Sequence, residues 1–130
     1  MWVVQSSAGN PLGLASLSSI DTVNRKTEFA VGFPGAVPPV YGIKATMLVL
    51  HFAMKLMHFN KVYSYVYEDN PKALHNAVRL GFVHEGLLRD HFLLPEVGFM
   101  SVNVVALTAA QLQASSQLRA LAQRLIGQDW

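Results

Sequence analysis

Asn70-Pro71-Lys72-Ala73, then Leu80-Gly81-Phe82, then Glu85-Gly86 with Arg89, is the stretch on which the fold turns. Asparagine is a strong helix N-cap and proline is pre-organised for the first helical position, so Asn70 and Pro71 start a helix. Gly81 ends it in the manner of a C-cap, after about Leu80. Upstream, Val62 to Tyr67 is rich in valine and tyrosine and reads as a strand; downstream, Phe82 to Leu93 is again strand-like. A strand, a helix and a strand therefore follow in order.

Working outward, Pro95 to Gly98 turns the chain into a last strand, Val102 to Leu107. Thr108 caps a terminal helix with Leu118, Leu121 and Leu125 as its apolar stripe, before Gly127. On the other side, Ile43, Met47, Leu50, Met54 and Met57 recur at spacings of three and four, which predicts a helix from Ile43 to about His58. Pro34 to Tyr41 holds three prolines and a glycine and is expected to be a loop. Before it, Trp2–Ser7, Leu12–Ser18 and Glu28–Phe33 read as three antiparallel strands, the last with Phe29, Val31 and Phe33 on one face. The expected order is βββ-α-β-α-β-β-α, an α/β (α+β) fold with a mixed, mostly antiparallel sheet flanked by helices.

The chain has 130 residues, the size of one domain, and a formal charge of +2. Its ten basic residues are scattered, so it carries no nucleic-acid footprint. Hydrophobic residues make up 52% and charged ones 14%, with mean hydropathy +0.29, a composition that suggests apolar surface meeting a ligand or a partner chain, such as a dimer mate. No apolar run reaches the roughly 20 residues needed to cross a bilayer, and the N-terminus lacks the pattern of a secretion signal. The expected location is the cytoplasm. With no cysteine, disulfides, thiolate zinc sites and a cysteine nucleophile are excluded. The histidines at 51, 58, 75, 84 and 91 lack metal-ligand spacing, so no metal is expected.

Val40-Tyr41-Gly42-Ile43-Lys44-Ala45 lies between a strand and a helix. Amides at a helix N-terminus offer donors and the positive end of the helix dipole to a pyrophosphate, and Lys44 could add a counter-charge.

At this point the chain resembles the GNAT acyltransferases, especially the branch with ribosomal-protein N-terminal acetyltransferases and related enzymes acting on small amines. In that branch an asparagine opens the helix after the fifth strand, a Gly-Phe pair closes it, and Glu-Gly-x-x-Arg follows on the next strand. The resemblance spans about Trp2 to Leu107. It implies an acetyl-CoA-binding core over 1–107, with 108–130 a C-terminal helix of the same domain or a dimer contact. It implies that acetyl-CoA, the co-substrate, lies between the family's fourth and fifth strands. There the pantetheine would meet the backbone near Ala30 to Phe33 (Val31, Gly32 and Phe33). The pyrophosphate would sit at Tyr41, Gly42, Ile43, Lys44 and Ala45, and the helix from Asn70 through Ala73 would flank the cofactor. A primary amine would then attack the thioester directly. Glu28, on the strand that would line the cleft, reads either as a base acting through water or as a solvated strand carboxylate.

The departures are specific. The family's phosphate loop reads Q/R-x-x-G-x-G/A, whereas this chain has Pro39 first and Lys44 last. Its tyrosine general acid falls at Ala77, and the serine that some members use falls at Ala73. The chain also starts at the equivalent of the family's second strand, so the strand and two helices that wall the acceptor are expected to be missing. Two other readings stay open: a catalytically impaired, CoA-binding or oligomerising remnant, and an interaction module without a ligand. Glu85 and Arg89 read as a structural pair or as outward-facing residues, and the alternating Tyr63, Tyr65 and Tyr67 as sheet packing.

Overall fold

The computed structural model of the chain describes residues 1–128; Asp129 and Trp130, the end of the expected 108–130 segment, lie outside the described residues. Six strands form one sheet: β1 (Trp2–Gln5), β2 (Pro11–Asp21), β3 (Lys26–Gly32), β4 (Lys61–Tyr67), β5 (Val83–Leu94) and β6 (Gly98–Thr108), in the order β1-β2-β3-β4-β6-β5. All neighbours are antiparallel except β3 and β4. A parallel pair needs a crossover, and α1 (Pro39–His51) supplies it. α2 (Pro71–Leu80) links β4 to β5, and α3 (Ala109–Ala114) and α4 (Ser116–Ile126) follow β6.

Strand alternation sets the core. Ala15 on β2, Phe29 on β3, Val62 on β4, and Val105 and Leu107 on β6 share one face and pack with Met47, Leu50, Ala53 and Met54. Leu74 and Ala77 of α2, Leu112 of α3, and Leu118 and Ala122 of α4 join the same cluster. The helices therefore lie on one face. The opposite face presents Lys26, Glu28, Tyr63, Tyr65 and Tyr67, all at least partly exposed, and no helix covers it among the described residues.

Several boundaries differ from expectation. The proline-rich segment is a loop only through Pro38; the helix starts at Pro39, with Pro38 held extended (φ −56°, ψ 138°) as its cap. A proline disfavours helical geometry in the residue before it yet suits the first helical position, so Pro38-Pro39 is itself a start signal. At the other end α1 runs into a π-helical turn, Phe52–Leu56, which leaves Met57 52% exposed instead of on the buried stripe. The terminal helix is two helices. Thr108 and Gln111 form a capping box at the first, and the Ser115 hydroxyl accepts from the Leu118 amide (3.2 Å) to start the second.

Two glycines are needed where they stand. Gly81 sits at φ 128°, and a Cβ there would approach Leu118 Cδ1 to 2.9 Å. On β2, a Cβ on Gly13 would land on the Gly32 carbonyl oxygen and 2.5 Å from Phe33 Cδ1. The Phe33 ring fills that space and also faces Gly42, where a Cβ would lie 3.5 Å from its Cε2. Phe33 thereby ties the end of β3 to the first turn of α1. No helix is long and apolar enough to cross a membrane among the described residues.

Candidate acyl-transfer site

The parallel pairing of β3 with β4 lasts three rungs: Lys26↔Lys61, Thr27↔Val62 and Glu28↔Tyr63. Beyond the last rung, β3 continues to Gly32 paired with β2 alone, and β4 continues to Tyr67 paired with β6 alone. The two strands splay, and the edge of β3 that faces β4 is without a strand partner from Phe29 to Gly32. Backbone donors and acceptors left on a sheet edge are a template for an extended ligand with amides of its own.

The residues expected to hold acetyl-CoA surround this opening unequally. Val31, Gly32 and Phe33 lie on or beyond the unpaired stretch of β3. Asn70 caps α2, its side-chain oxygen accepting from the Ala73 amide (3.2 Å). Gly42 lies inside the first turn of α1 and not in the loop before it, with its carbonyl accepting from the Thr46 hydroxyl (2.8 Å). Pro39 has no amide hydrogen, and the Tyr41 amide bonds to the Pro38 carbonyl (3.1 Å), so this helix start offers fewer free donors than usual. Ile43 is half-buried next to Gly42. Tyr41, Lys44 and Ala45 line a different concavity, a largely apolar groove of about 770 Å³ between β1 and α1 with Trp2, Val4 and Phe52. That groove runs along β1, which β2 separates from β3 in the sheet. Sequence reasoning did not find it, because it depends on how β1 and α1 come together.

Glu28 and Tyr63 meet on the last shared rung, both half-buried and on the helix-free face. Burial pushes the Tyr63 phenol above its ordinary value, and the negative ends of Tyr65 and Glu28 add to the effect. Tyr63 is thus a neutral hydroxyl at neutral pH. Close by, Asp21 is held below the usual carboxylate range, first by the Asn24 amide (2.8 Å) and then by its side chain (2.8 Å). Lys61 and Glu85 form a salt bridge at 2.6 Å on the same face, beside a hollow of about 250 Å³ lined also by Lys26, Tyr63 and Tyr65. Glu85 is therefore partnered by Lys61 and not by Arg89, and both Glu85 and Arg89 are exposed, as the outward-facing reading expects; the Lys61 pair is long-range and invisible to local pattern. Ala77, where the family places its tyrosine, is half-buried against the core and has no proton to give. No group of three metal-ligating side chains occurs among the described residues.

A mixed sheet opened after one parallel pairing, with a crossover helix starting at the opening, is the fold of the GNAT-type N-acetyltransferases. No protein-family model matches the chain. Two curated proteins give the resemblance a more particular form. The chain is 30% identical over 98 residues to the spermidine N(1)-acetyltransferase of Vibrio cholerae, covering 72% of this chain and 54% of that protein. It is 30% identical over 91 residues to the spermidine N(1)-acetyltransferase of Escherichia coli K12, covering 66% and 47%. The chain thus spans about half the length of the curated relatives it matches. Among solved structures, a chimera of Vibrio cholerae spermidine N-acetyltransferase SpeG superposes with a TM-score of 0.77 at 25% identity, over 84% of this chain and 68% of that one. The SpeG structure in complex with manganese ions gives 0.76 at 26% identity, over 85% and 64%.

Proposed function

We propose that the chain binds acetyl-CoA between the splayed halves of β3 and β4 and transfers its acetyl group to a primary amine of a polyamine. The observation that carries this reading is the loss of pairing after Glu28 and Tyr63. It leaves a backbone edge that suits the pantetheine amides, and a carboxylate and a neutral phenol stand on the rung beside that edge. The names of the curated relatives support the acceptor class.

The amine enters from the helix-free face. Its nitrogen attacks the thioester carbonyl carbon, a C–N bond forms, the C–S bond breaks, and the sulfur leaves as thiolate. Glu28, directly or through a water, takes the proton the nitrogen loses. Tyr63, as a neutral hydroxyl on the same rung, orients the amine by accepting one of its N–H bonds. No side chain of α2 at position 77 or 73 can protonate the thiolate, so that proton comes from solvent. A homodimer belongs to the same proposal, supported by the exposed apolar residues Trp2, Val40, Leu48 and Leu56 along the β1–α1 groove.

The test is release of free thiol from acetyl-CoA with spermidine, putrescine, propylamine and glucosamine, alongside the melting temperature with acetyl-CoA, since a ligand that binds only the folded state must raise it. Turnover with polyamines and a raised melting point are expected. A raised melting point with no turnover would make this a CoA-binding protein without transfer activity. No turnover together with an unchanged melting point would end the reading.

A further inference from the structure

We propose that the aromatic row Tyr65, Phe92 and Tyr67 on the helix-free face seats the methylene chain of the acceptor and so selects a long polyamine over a monoamine. This rests on the transfer reading above, since the row starts one side chain beyond Tyr63 on the last shared rung. Four ring contacts carry it. Tyr65 meets Tyr63 at 5.7 Å between centroids, His91 at 5.5 Å and Phe92 at 5.5 Å, and Tyr67 meets Phe92 at 6.3 Å. Buried beneath them is Val102, with no exposure at all. The rings stay partly open, Tyr67 at 43%, on a face that no helix covers among the described residues.

The row is assembled by a distortion of β5. Leu88 faces Val102 and Phe92 faces Met100, so four steps along β5 match two along β6. Asp90 sits in the excess at φ 47°, a conformation uncommon outside glycine, and its amide donates to the Ser101 hydroxyl (3.0 Å). Bulges of this kind re-aim side chains. Here the bulge sets His91 beside Phe92, 4.8 Å between ring centroids, and turns both toward Tyr65. A flat apolar strand would have placed them on opposite faces.

The charges at the two ends fit a chain that is apolar in the middle and cationic at its tips. Glu28 stands at the reacting end. At the other, the main-chain amides of Glu68 and Asp90 both bond to Ser101, at 3.0 Å each, which brings the backbones of these two acidic residues, with Asp69 next in sequence, to the far end of the row. Of the two lysines on this face, Lys61 is neutralised by Glu85. Tyr63 to Tyr67 spans roughly 13 Å at about 3.3 Å per residue, long enough for an extended aliphatic triamine. Ring faces bind ammonium and methylene groups alike, because the quadrupole attracts the cation and the carbon surface covers the chain.

The experiment compares kcat/KM for spermidine with that for propylamine in the full chain and in Tyr65→Leu, Phe92→Leu and Asp90→Asn. Asparagine tolerates the left-handed backbone, so the last removes a charge without strain. Far-UV circular dichroism checks that each variant is folded. The spermidine preference should fall roughly tenfold in each aromatic variant, the order of one cation–π contact, and through KM more than kcat. An unchanged preference in both aromatic variants would overturn the proposal while leaving the transfer reading intact. Should no amine be acetylated, the seat is read by spermidine quenching of tyrosine fluorescence. Saturable quenching weakened by Tyr65→Leu supports it, and equal or absent quenching overturns it.

Discussion

Gly13→Ala tests whether the close approach of β2 to the end of β3 sets the cleft. The new Cβ would clash with the Gly32 carbonyl oxygen and stand 2.5 Å from Phe33 Cδ1, so backbone and ring must both move. Gly32 and Phe33 form the end of the unpaired edge, and Phe33 also faces Gly42 on α1, so one displacement reaches both sides of the opening. Overpacking of this kind costs about 1–3 kcal/mol. At this chain length that corresponds to a fall in melting temperature of roughly 3–15 °C. Acetyl-CoA affinity should weaken by more than stability alone requires, on the order of tenfold, because misplaced groups lose their alignment with the ligand. Gly35→Ala is the control, since nothing lies within 4 Å of its Cβ position and its backbone is not in the left-handed region. Differential scanning fluorimetry and a binding titration read both. A Gly13→Ala protein that melts within about 1 °C of the parent and binds acetyl-CoA equally would refute the reasoning.

Glu28→Gln should lower kcat by roughly two orders of magnitude or more while leaving acetyl-CoA binding in place, as measured by thiol release and by thermal shift. Gly81→Ala should destabilise by about 2–4 kcal/mol, through the positive φ and the contact with Leu118, and denaturant unfolding would show it. Asn70→Ala should cost about 1 kcal/mol by the same assay, through loss of the bond to the Ala73 amide. Tyr63 holds its proton more tightly folded than unfolded, so above pH 10 the unfolded chain gives up a proton that the folded one keeps. Stability should therefore fall as pH rises from about 10 toward the folded value. Tyr63→Phe should flatten that fall, and absorbance at alkaline pH should show one late-titrating phenol lost.

The parts of the fold written in local pattern were legible. Asn70-Pro71 and Gly81 bracket α2 as their backbone preferences require, and the alternation at Phe29 and Val31 marks the core side of β3. The start of α1 was hidden by its prolines, which signal a loop before the helix and a first turn within it with equal force. The break at Ser115 was readable as a cap, but the leucine stripe ran across it and masked it. Met57 left the stripe because a π turn adds a residue, and periodicity assumes a constant step. In the site, Glu28 could be placed on the cleft strand from sequence, whereas the partner of Glu85 and the role of Tyr65 depend on contacts made across strands. The register shift between Leu88 and Phe92 carries no glycine to announce it, unlike the one at Gly86; Asp90 takes a positive φ there instead.

The three rungs between β3 and β4 also divide the molecule as a folding system. On one side, β1, β2 and β3 form an antiparallel meander of sequence neighbours; on the other, β4, β5 and β6 close around α2. Each half is local in sequence, and the halves meet at a short parallel seam whose formation must wait for α1 to cross over. Amide hydrogen exchange should report two cooperative units, with Lys26 to Glu28 and Lys61 to Tyr63 protected only when both are in place. Past the seam no strand-to-strand hydrogen bond resists a change in the distance between the halves, so a molecule bound there supplies the missing rungs. If acetyl-CoA binds as proposed, it would complete the sheet, and the contacts that recognise it would also lock two folding units together.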